Sequence, residues 1–465
     1  MDSSTLPAAF LPPVNRSMKV LDRSFFRKTV LLAAASVSDA KQISEVRKAI
    51  VKSDGAPLPK FLRDDPDQPG TKCLLLHPRL KQDDPSTWST ALRTLSESGL
   101  VKVRNYKLEL GYDDWTMHSI LEAIIPEMLD DEQELPTGFA QVGHVAHLNL
   151  RSQYLPYKYL IGQVLMDKNP QIQTVINKTL DVGTESVFRT FPYEVLAGED
   201  NLDVTVSESG CEFQFNFGKV YWNSRLGTEH GRIIDKFSEG EAVCDVMAGV
   251  GPFAVPAGKR NIFVHANDLN PDSFAGLQAA IKRNKVGDFV SPSCEDGRAF
   301  IRKSAELLQS KSRSVAVKPK LKISRNSSSA EKQAIQKKIE EGTKLLREPK
   351  SFDHYVMNLP ATAIEFLDAF KGLLQGREAE FSPHTERHLP LIHVHLFQAK
   401  HTTIPEEHDG VLLRLAEHLG HDLSPAYKRG EVELFDVRLV APNKRMYCAT
   451  FRLPAAVAFA DTPPS

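Results

Sequence analysis

The sequence of 465 residues has no run of eighteen or more apolar residues, so it predicts no helix that spans a membrane. It has only five cysteines, and no two of them show metal-ligand spacing. That scarcity predicts a reducing compartment and no bound metal. The formal net charge is -1, which neither requires nor excludes a nucleic-acid partner, because phosphates respond to local basic patches.

What the chain does have is enough hydrophobic residues, 41% of the total, to form several cores. Changes in composition along the chain predict an N-terminal tail and three domains. The predicted parts are a disordered tail at 1–22, small α+β domains at 23–112 and 113–215, and a larger domain at 216–465. The basic residues between Arg16 and Lys28 are typical of a mitochondrial targeting segment, whereas the acidic residues Asp2 and Asp22 are unusual in one. A targeting role therefore stays open.

From Ala242 onward, short apolar strands alternate with helices, and a final pair of strands has no helix between them. This pattern predicts an α/β fold with a doubly wound, Rossmann-like sheet that is mostly parallel and has one antiparallel strand. In the predicted strand Leu389–Phe397, His393 and His395 share one face, where we expect ordinary core packing. The predicted strands are Ala242–Met247, Ile262–Asn267, Phe289–Ser293, Phe352–Met357, Leu389–Phe397, Val432–Val440 and Met446–Arg452.

A basic insertion at 302–350 interrupts the alternation. It carries fourteen Lys or Arg against five acidic residues, and it predicts a helix from Glu331 to Leu346. Contact with RNA phosphates and a solvated excursion explain this composition equally well.

The first predicted strand of this sheet ends in Asp245, and Gly249 and Gly251 follow it. Glycines let a backbone turn sharply and approach a cofactor closely. Asp268 ends the next strand, where an acid can accept hydrogen bonds from ribose hydroxyls. These features alone also fit a dinucleotide.

Three additions favour S-adenosylmethionine instead. Asp245 precedes the loop, where a carboxylate suits a cofactor with an ammonium and a sulfonium better than one with a pyrophosphate. Asp296 follows the third strand and is placed to accept from the adenine amine. The segment Asn358-Leu359-Pro360-Ala361 follows the fourth strand, where an Asn amide next to a stiff turn can orient a planar base edge.

At this point the sequence resembles the archaeal and eukaryotic tRNA (guanine-37, N1) methyltransferases, which have the class I methyltransferase fold rather than the bacterial knotted one. The resemblance covers the chain from about Arg23 to the C-terminus. The segments that carry it are Val142–Leu150, Tyr221–His230, Asp268-Leu269-Asn270-Pro271 and Asn358-Leu359-Pro360-Ala361.

The resemblance implies a role for each matching residue. Glu229 would be the general base, Arg189 would assist at the guanine oxygen, and Asn358 would act beside them. Tyr221 and Pro360 would line the guanine pocket with Arg189. The residues that it implies would bind or frame the cofactor are His230, Asp268, Leu269, Asp296, Gly297 and Asn358. They add to Asp245, Gly249 and Gly251, which the strand end and the glycine loop already indicate.

The chemistry explains why a base is needed, because neutral guanine carries a hydrogen on N1 and is a poor nucleophile there. Burial is expected to raise the pKa of Glu229 toward the working range, provided that apolar neighbours such as Leu226 shield it. Arg189 would stabilise the charge that develops on the guanine oxygen.

Two departures from archaeal relatives limit the resemblance: Ala361 replaces an aromatic residue, and the basic insertion has no counterpart there. Three alternative functions remain at this point: the related aminocarboxypropyl transferase of wybutosine synthesis, a nicotinamide-dependent oxidoreductase and an inactive RNA-binding protein. We expect a monomer that acts on tRNA with guanosine 37 in cytoplasm and nucleus, with a mitochondrial pool possible.

Overall fold

The structure is a computed structural model that describes residues 7–58, 60–126, 134–179, 188, 190–311, 313–319, 321 and 329–461. The chain divides into two compact units. Unit 1 comprises Met1–Thr179 and Tyr193–Asn201, and unit 2 comprises Leu180–Pro192 and Leu202–Ser465. Among the described residues, no helix has both the length and the apolar character that crossing a membrane requires.

Unit 1 contains two four-stranded sheets. The first has the strand order β2-β3-β1-β4 and is antiparallel throughout. Its elements are β1 (Lys28–Val37), α1 (Ile43–Asp54), β2 (Leu62–Asp64), β3 (Lys72–Leu75), α2 (Thr90–Glu97) and β4 (Val101–Leu110). Strand β4 alternates buried and exposed residues at its two ends, as expected for a sheet with one face toward a core.

The second sheet of unit 1 has the order β5-β6-β7-β8, with β6 and β7 parallel. Its elements are α3 (Met117–Ile124), β5 (Ala140–Val142), β6 (Val145–Leu148), α4 (Lys158–Lys168), β7 (Thr174–Lys178) and β8 (Tyr193–Gly198). One continuous hydrophobic core runs from Phe10 to Ala197 through both sheets. The part of the predicted domains 23–112 and 113–215 that lies before Ala197 therefore contributes to one shared core.

Residues 7–22 differ from the predicted disordered tail. Phe10 and Met18 are buried, and the indole N–H of Trp115 donates to the carbonyl oxygen of Phe10 at 2.8 Å. The guanidinium of Arg16 donates to the carbonyl oxygens of Glu122 and Ile125 at the end of α3. Isolated apolar residues between prolines give no periodic signal, so the sequence pattern did not predict this packing.

Unit 2 begins with a hairpin, and its elements follow in chain order. They are β9 (Asp203–Glu208), β10 (Cys211–Asn216), α5 (Gly227–Ile234), β11 (Ala242–Asp245), α6 (Ala254–Lys259), β12 (Phe263–Asn267), α7 (Pro271–Asn284), β13 (Val290–Ser293), α8 (Gly297–Ser310), β14 (Ser314–Val317), α9 (Ser329–Glu341), β15 (Lys344–Arg347), β16 (His354–Met357), α10 (Glu378–Phe381), α11 (Thr385–His388), β17 (Leu391–Ala399), α12 (Ile404–Leu419), α13 (Ser424–Lys428), β18 (Val432–Ala441), β19 (Lys444–Arg452) and α14 (Ala455–Ala458).

The main sheet of unit 2 has seven strands in the order β13-β12-β11-β16-β17-β19-β18. Only β19 runs against its neighbours, which confirms the predicted doubly wound sheet with one antiparallel strand. Every residue of the central strands β11, β12 and β16 is buried, because helices cover both faces of such a sheet.

Two predicted boundaries differ from the structure. The hairpin of β9 and β10 belongs to unit 2, so the continuous part of this unit runs from Leu202, before the predicted boundary at 216, and Leu180–Pro192 belongs to it as well. Strand β10 packs against α7 through Asn284, whose side chain hydrogen bonds to both the N–H and the carbonyl oxygen of Glu212. The sequence pattern did not separate this hairpin from unit 1, because β9 and β10 are short strands like β7 and β8 before them.

The basic insertion is also shorter than predicted. Helix α8 extends through Ser310, so the insertion begins after it. Within the insertion, β14 pairs with β15, and α9 ends at Glu341 rather than at the predicted Leu346. Gly342 follows the helix, and the strand after it places two leucines between Lys344 and Arg347.

A substitution at Gly198 tests how closely β8 packs on the chain before β7. The φ of Gly198, +81°, lies in the left-handed region, and a Cβ there would lie 1.9 Å from the carbonyl oxygen of Gln173. Gly198→Ala should lower the free energy of unfolding of unit 1 by about 3 kcal/mol, from backbone strain and overpacking together. Gly99→Ala is the matched control, because Gly99 has φ +72° with nothing within 4 Å.

The control should cost only the strain, about 1–2 kcal/mol. Urea unfolding followed by tryptophan fluorescence measures both variants. Equal losses for the two would show that the close approach at Gly198 does not exist.

Candidate active site

A cleft lies at the carboxyl ends of the central strands of unit 2, where ligands bind in open α/β sheets. Seven of the predicted site residues line it: Tyr221, Gly249, Asp268, Leu269, Asp296, Gly297 and Asn358. The sequence analysis did not assign eight further lining residues: Phe188, Val246, Met247, Asn267, Asn270, Ser273, Leu359 and Phe366.

The glycine loop after β11 forms one wall of this cleft. Gly249 has φ +57° with no atom within 4 Å of a Cβ position, so its backbone is open to a ligand. Gly251 has φ +95°, and a Cβ there would lie 2.7 Å from Leu277. Gly251 is therefore required for packing of the loop on α7, and it does not line the cleft.

Asp268 holds this loop in place. Its Oδ2 accepts from the N–H of Gly249 at 2.8 Å, and its Oδ1 accepts from the N–H of Asn270 at 2.9 Å. Burial raises the pKa of the Asp268 carboxyl, while these two hydrogen bonds oppose the rise. Ser273 also donates to this carboxylate, so about one of its roughly four acceptor sites stays free for a ligand hydroxyl.

Asp245 and Asn358 carry buried oxygens without a hydrogen-bond partner among the described residues. Both carboxylate oxygens of Asp245 are in this state, and so is Oδ1 of Asn358. Burial, followed by the negative charge of Asp268, raises the pKa of Asp245 to about 8. Because unpaired buried polar atoms are costly, these oxygens point to a ligand that supplies donors.

Asp296 and Gly297 begin α8. Oδ1 of Asp296 accepts from the N–H groups of Arg298 and Ala299 at 3.0 and 3.1 Å, while Oδ2 takes no part in this cap. A Cβ at Gly297 would lie 2.8 Å from the ring of Phe366, so only glycine lets that ring approach.

Glu229 lies in the first turn of α5 and is buried, with 4% of its surface exposed. Arg232 donates to both carboxylate oxygens, from Nε to Oε2 at 2.7 Å and from Nη2 to Oε1 at 2.9 Å. His395 on β17 donates from Nε2 to Oε1 at 2.7 Å. Glu229 does not line the cleft.

These contacts reverse the expected pKa shift of Glu229. Burial alone raises the pKa of this carboxyl, as the sequence analysis assumed, but the hydrogen bonds and charges of Arg232 and His395 outweigh it and lower the pKa to about 2. The expectation considered only apolar neighbours such as Leu226. Arg232 was detectable as a partner three residues along the helix, whereas His395 was interpreted only as a packed residue.

The other predicted site residues lie around the cleft rather than on its walls. The Nδ1 atom of His230 pairs with Oε1 of Glu208 at 2.5 Å, and its ring meets Phe253 edge-on. Pro360 is buried, and its carbonyl oxygen accepts from the N–H of Phe397. Arg189 lies outside the described residues.

The sequence predicted no metal, yet Glu229, His395 and Cys448 have ligand atoms within 4.8 Å of one another. This proximity arises from tertiary structure, since the three residues are far apart in sequence. Arg232 occupies both oxygens of Glu229, and a guanidinium in that position favours an ion pair over a bound cation.

Comparisons with known proteins agree with this fold. Residues 204–309 match the TRM5/TYW2 methyltransferase domain, and residues 117–201 match the TYW2 N-terminal domain. The crystal structure of Trm5b from Pyrococcus abyssi superposes with a TM-score of 0.53 at 22% identity, covering 90% of this chain and 99% of that one. A complex of aTrm5 and tRNALeu gives the same TM-score at 18% identity, over 91% and 100% of the two chains. Unit 2 thus has the class I methyltransferase fold.

The curated relatives are more similar in sequence. A tRNA (guanine(37)-N(1))-methyltransferase of Aspergillus fumigatus is 53% identical over 98% of this chain and 97% of its own length. Proteins of the same name from Emericella nidulans and Schizosaccharomyces pombe are 49% and 44% identical, over 98% and 95% of this chain and 96% of each relative. The chain belongs to the tRNA (guanine(37)-N(1))-methyltransferase family.

The ion pair of Glu229 and His395 makes the stability of unit 2 depend on pH. Burial lowers the pKa of His395, but the influence of Cys448 and Glu229 exceeds it and raises the pKa from 6.5 to about 10. The stabilisation by His395 is therefore complete below pH 6.5 and is lost as pH rises toward 10. That of Glu229 is present above pH 4.5 and is lost as pH falls toward 2.

We therefore expect His395→Gln to cost more free energy of unfolding at pH 7.5 than at pH 9.5. The control is His393→Gln, since burial lowers the pKa of His393 well below 6.5 and leaves it neutral at both pH values. Its cost should be the same at the two pH values. Denaturant unfolding of unit 2 measures both, and a cost of His395→Gln that does not change with pH would contradict a charged His395.

Proposed function

We propose that this chain transfers a methyl group from S-adenosylmethionine to N1 of guanosine 37 in tRNA. The observation that carries the proposal is Asn358 Oδ1, a buried acceptor on the cleft wall with no partner in the described residues. An acceptor there matches the N–H groups on the edge of a guanine. The names of the relatives and the tRNA bound to aTrm5 support the same substrate.

The residues around the cleft fit the cofactor. The carboxylate oxygens of Asp245 lack donors, and an ammonium group would supply them and favour the ionised form. Asp268 would hold the ribose hydroxyls, and Asp296 would hold the adenine amine through Oδ2. When bound, S-adenosylmethionine supplies an activated methyl group, so the chain itself must orient guanine and accept its proton.

Tyr221 and Asn358 would orient the guanine. Tyr221 lines the cleft with 42% of its surface exposed, so its ring is accessible to a base that has left the anticodon stack. Pro360 follows Asn358 and stiffens the turn that carries the amide. Arg189 keeps the role that the resemblance implies, stabilising charge on the guanine oxygen.

Glu229 would act as the general base. A carboxylate that is paired with Arg232 and His395 is a weak base, and Glu229 does not line the cleft. This role therefore requires that, when tRNA is bound, Arg232 release at least one oxygen and the cleft open onto Glu229. Arg232 has another acceptor nearby, because its Nη1 lies 3.3 Å from Oε1 of Glu433. Glu433 can keep the guanidinium paired after such a release.

Family membership excludes the oxidoreductase. The aminocarboxypropyl transferase remains the alternative activity, because residues 204–309 match a domain model that the two enzymes share. A product heavier by one methyl group, rather than by the larger group, separates the two activities. The monomeric state and the cellular location stay predictions.

The first test is transfer of labelled methyl to tRNA transcripts with guanosine or adenosine at position 37. We expect label only on guanosine 37, and a loss of about a hundredfold or more in the single-turnover rate of Glu229→Gln, because the amide cannot accept the N1 proton. The matched control is Glu407→Gln, because Glu407 is a buried glutamate on α12 that pairs with Arg445 on β19. It should keep the rate.

Absence of label on both transcripts, despite cofactor binding, would refute the methyl transfer. A wild-type rate in Glu229→Gln would refute only the assignment of the base.

A substitution at Asp268 tests the proposed cofactor site through the affinity for S-adenosylmethionine. Asp268→Asn should weaken binding of S-adenosylmethionine about 10- to 100-fold, because it removes a charged acceptor from the ribose and from Gly249. Asp272→Asn is the control, since Asp272 lies four residues away on α7 and is half exposed. Isothermal titration calorimetry measures both affinities, and equal affinities would place the cofactor elsewhere.

A further inference from the structure

The two oxygens of Glu229 are held differently. Oε2 has one described donor, Nε of Arg232. Oε1 has two, Nη2 of Arg232 and Nε2 of His395. If Arg232 leaves, Oε2 loses its hydrogen bond while Oε1 keeps one from His395.

The two donors also differ in their freedom to move. Arg232 keeps 18% of its side chain exposed, stacks over the ring of Phe435 at 3.9 Å and reaches Glu433. His395 is completely buried in the middle of β17, which hydrogen bonds to β16 on one side and to β19 on the other. The ring of Phe253 lies 6.2 Å from its ring. Arg232 can therefore be displaced while His395 stays fixed.

We propose that His395 is a positioning residue for the general base: it holds Oε1 of Glu229 so that Oε2, after release by Arg232, accepts the proton of guanine N1. The proposal rests on the proposed function. In this step the proton passes from N1 to Oε2, and the electron pair left on N1 forms the bond to the methyl carbon, while the bond from that carbon to the sulfonium sulfur breaks and its electron pair stays on the sulfur. His395 keeps its own proton throughout.

The charge of His395 follows from its surroundings. The titratable and charged groups around it are Glu229 and Arg232 from α5, Asp245 at the end of β11, His393 on β17 and Cys448 on β19. Burial lowers the pKa of His395, but Cys448 and Glu229 outweigh burial and raise the pKa to about 10, which favours the cation although Nδ1 of His395 has no hydrogen-bond partner among the described residues. A cation beside Oε1 keeps Glu229 ionised after Arg232 has left, and a neutral replacement would raise the pKa of Glu229.

Two variants separate the hydrogen bond from the charge. His395→Phe removes both, and His395→Gln removes the charge but keeps an N–H donor near the position of Nε2. The matched control is His393→Gln, because His393 is equally buried on the same face of β17 but pairs with His354 and Thr450. Single-turnover methyl transfer to tRNA is measured from pH 5 to 9, together with affinities for S-adenosylmethionine and tRNA and the melting temperature.

We expect His395→Phe to lower the single-turnover rate about a hundredfold with both affinities within about twofold of wild type, since a lost preorganised donor acts on the transition state. The single-turnover rate of His395→Gln should be at least tenfold higher than that of His395→Phe. In both variants the acid limb of the pH profile should move to higher pH, because Glu229 becomes protonated more readily. A structural role alone would not shift this limb.

Wild-type rates and an unshifted acid limb in both variants, with Glu229→Gln inactive, would overturn this inference and leave the proposed function intact. A wild-type rate in Glu229→Gln would instead overturn the assignment of the base itself. If His395→Phe does not fold, the inference is tested by comparing the pH–rate profile of His395→Gln with that of His393→Gln. Identical profiles for those two would also overturn the inference.

Discussion

A carboxylate removed from water stays ionised only where cations or hydrogen-bond donors replace the water, and the site of unit 2 is built around this constraint at Glu229. Two donors from different elements meet there, Arg232 from α5 and His395 from β17. The helix and the sheet are thereby tied together at Glu229. Without the pair, burial would leave either an uncompensated charge or a neutral acid.

The same constraint distinguishes the aspartates of the cofactor region. Asp268 has backbone donors for both oxygens and holds the glycine loop, whereas Asp245 has none among the described residues. The first therefore shapes the cleft by itself, and the second needs a ligand to complete it. A fold can leave such a group unpaired when the free energy of binding supplies the missing donors.

The central sheet explains why these groups converge. Strands β11, β12 and β16 are parallel, so their carboxyl ends meet at one edge, and each is followed by a polar segment. His395 lies on β17, beside β16, and faces α5 from within the sheet. A strand is more rigid than a loop, so His395 is a fixed donor for the Oε1 atom of Glu229 on α5.

The sequence by itself determined the seven strands of unit 2 and most of the cleft, because strands buried on both faces appear as short apolar runs and the residues after them mark the binding edge. It did not determine that residues 7–22 pack into a core, or that the predicted domains 23–112 and 113–215 share one, since such contacts leave no periodic pattern. Tertiary structure alone decided the state of Glu229. Its partner Arg232 is three residues away on the same helix, but His395 is 166 residues away, and local pattern contains no information on contacts at that separation. Burial and pairing set the pKa of a carboxyl in opposite directions, so its protonation state is known only when both neighbours are in place.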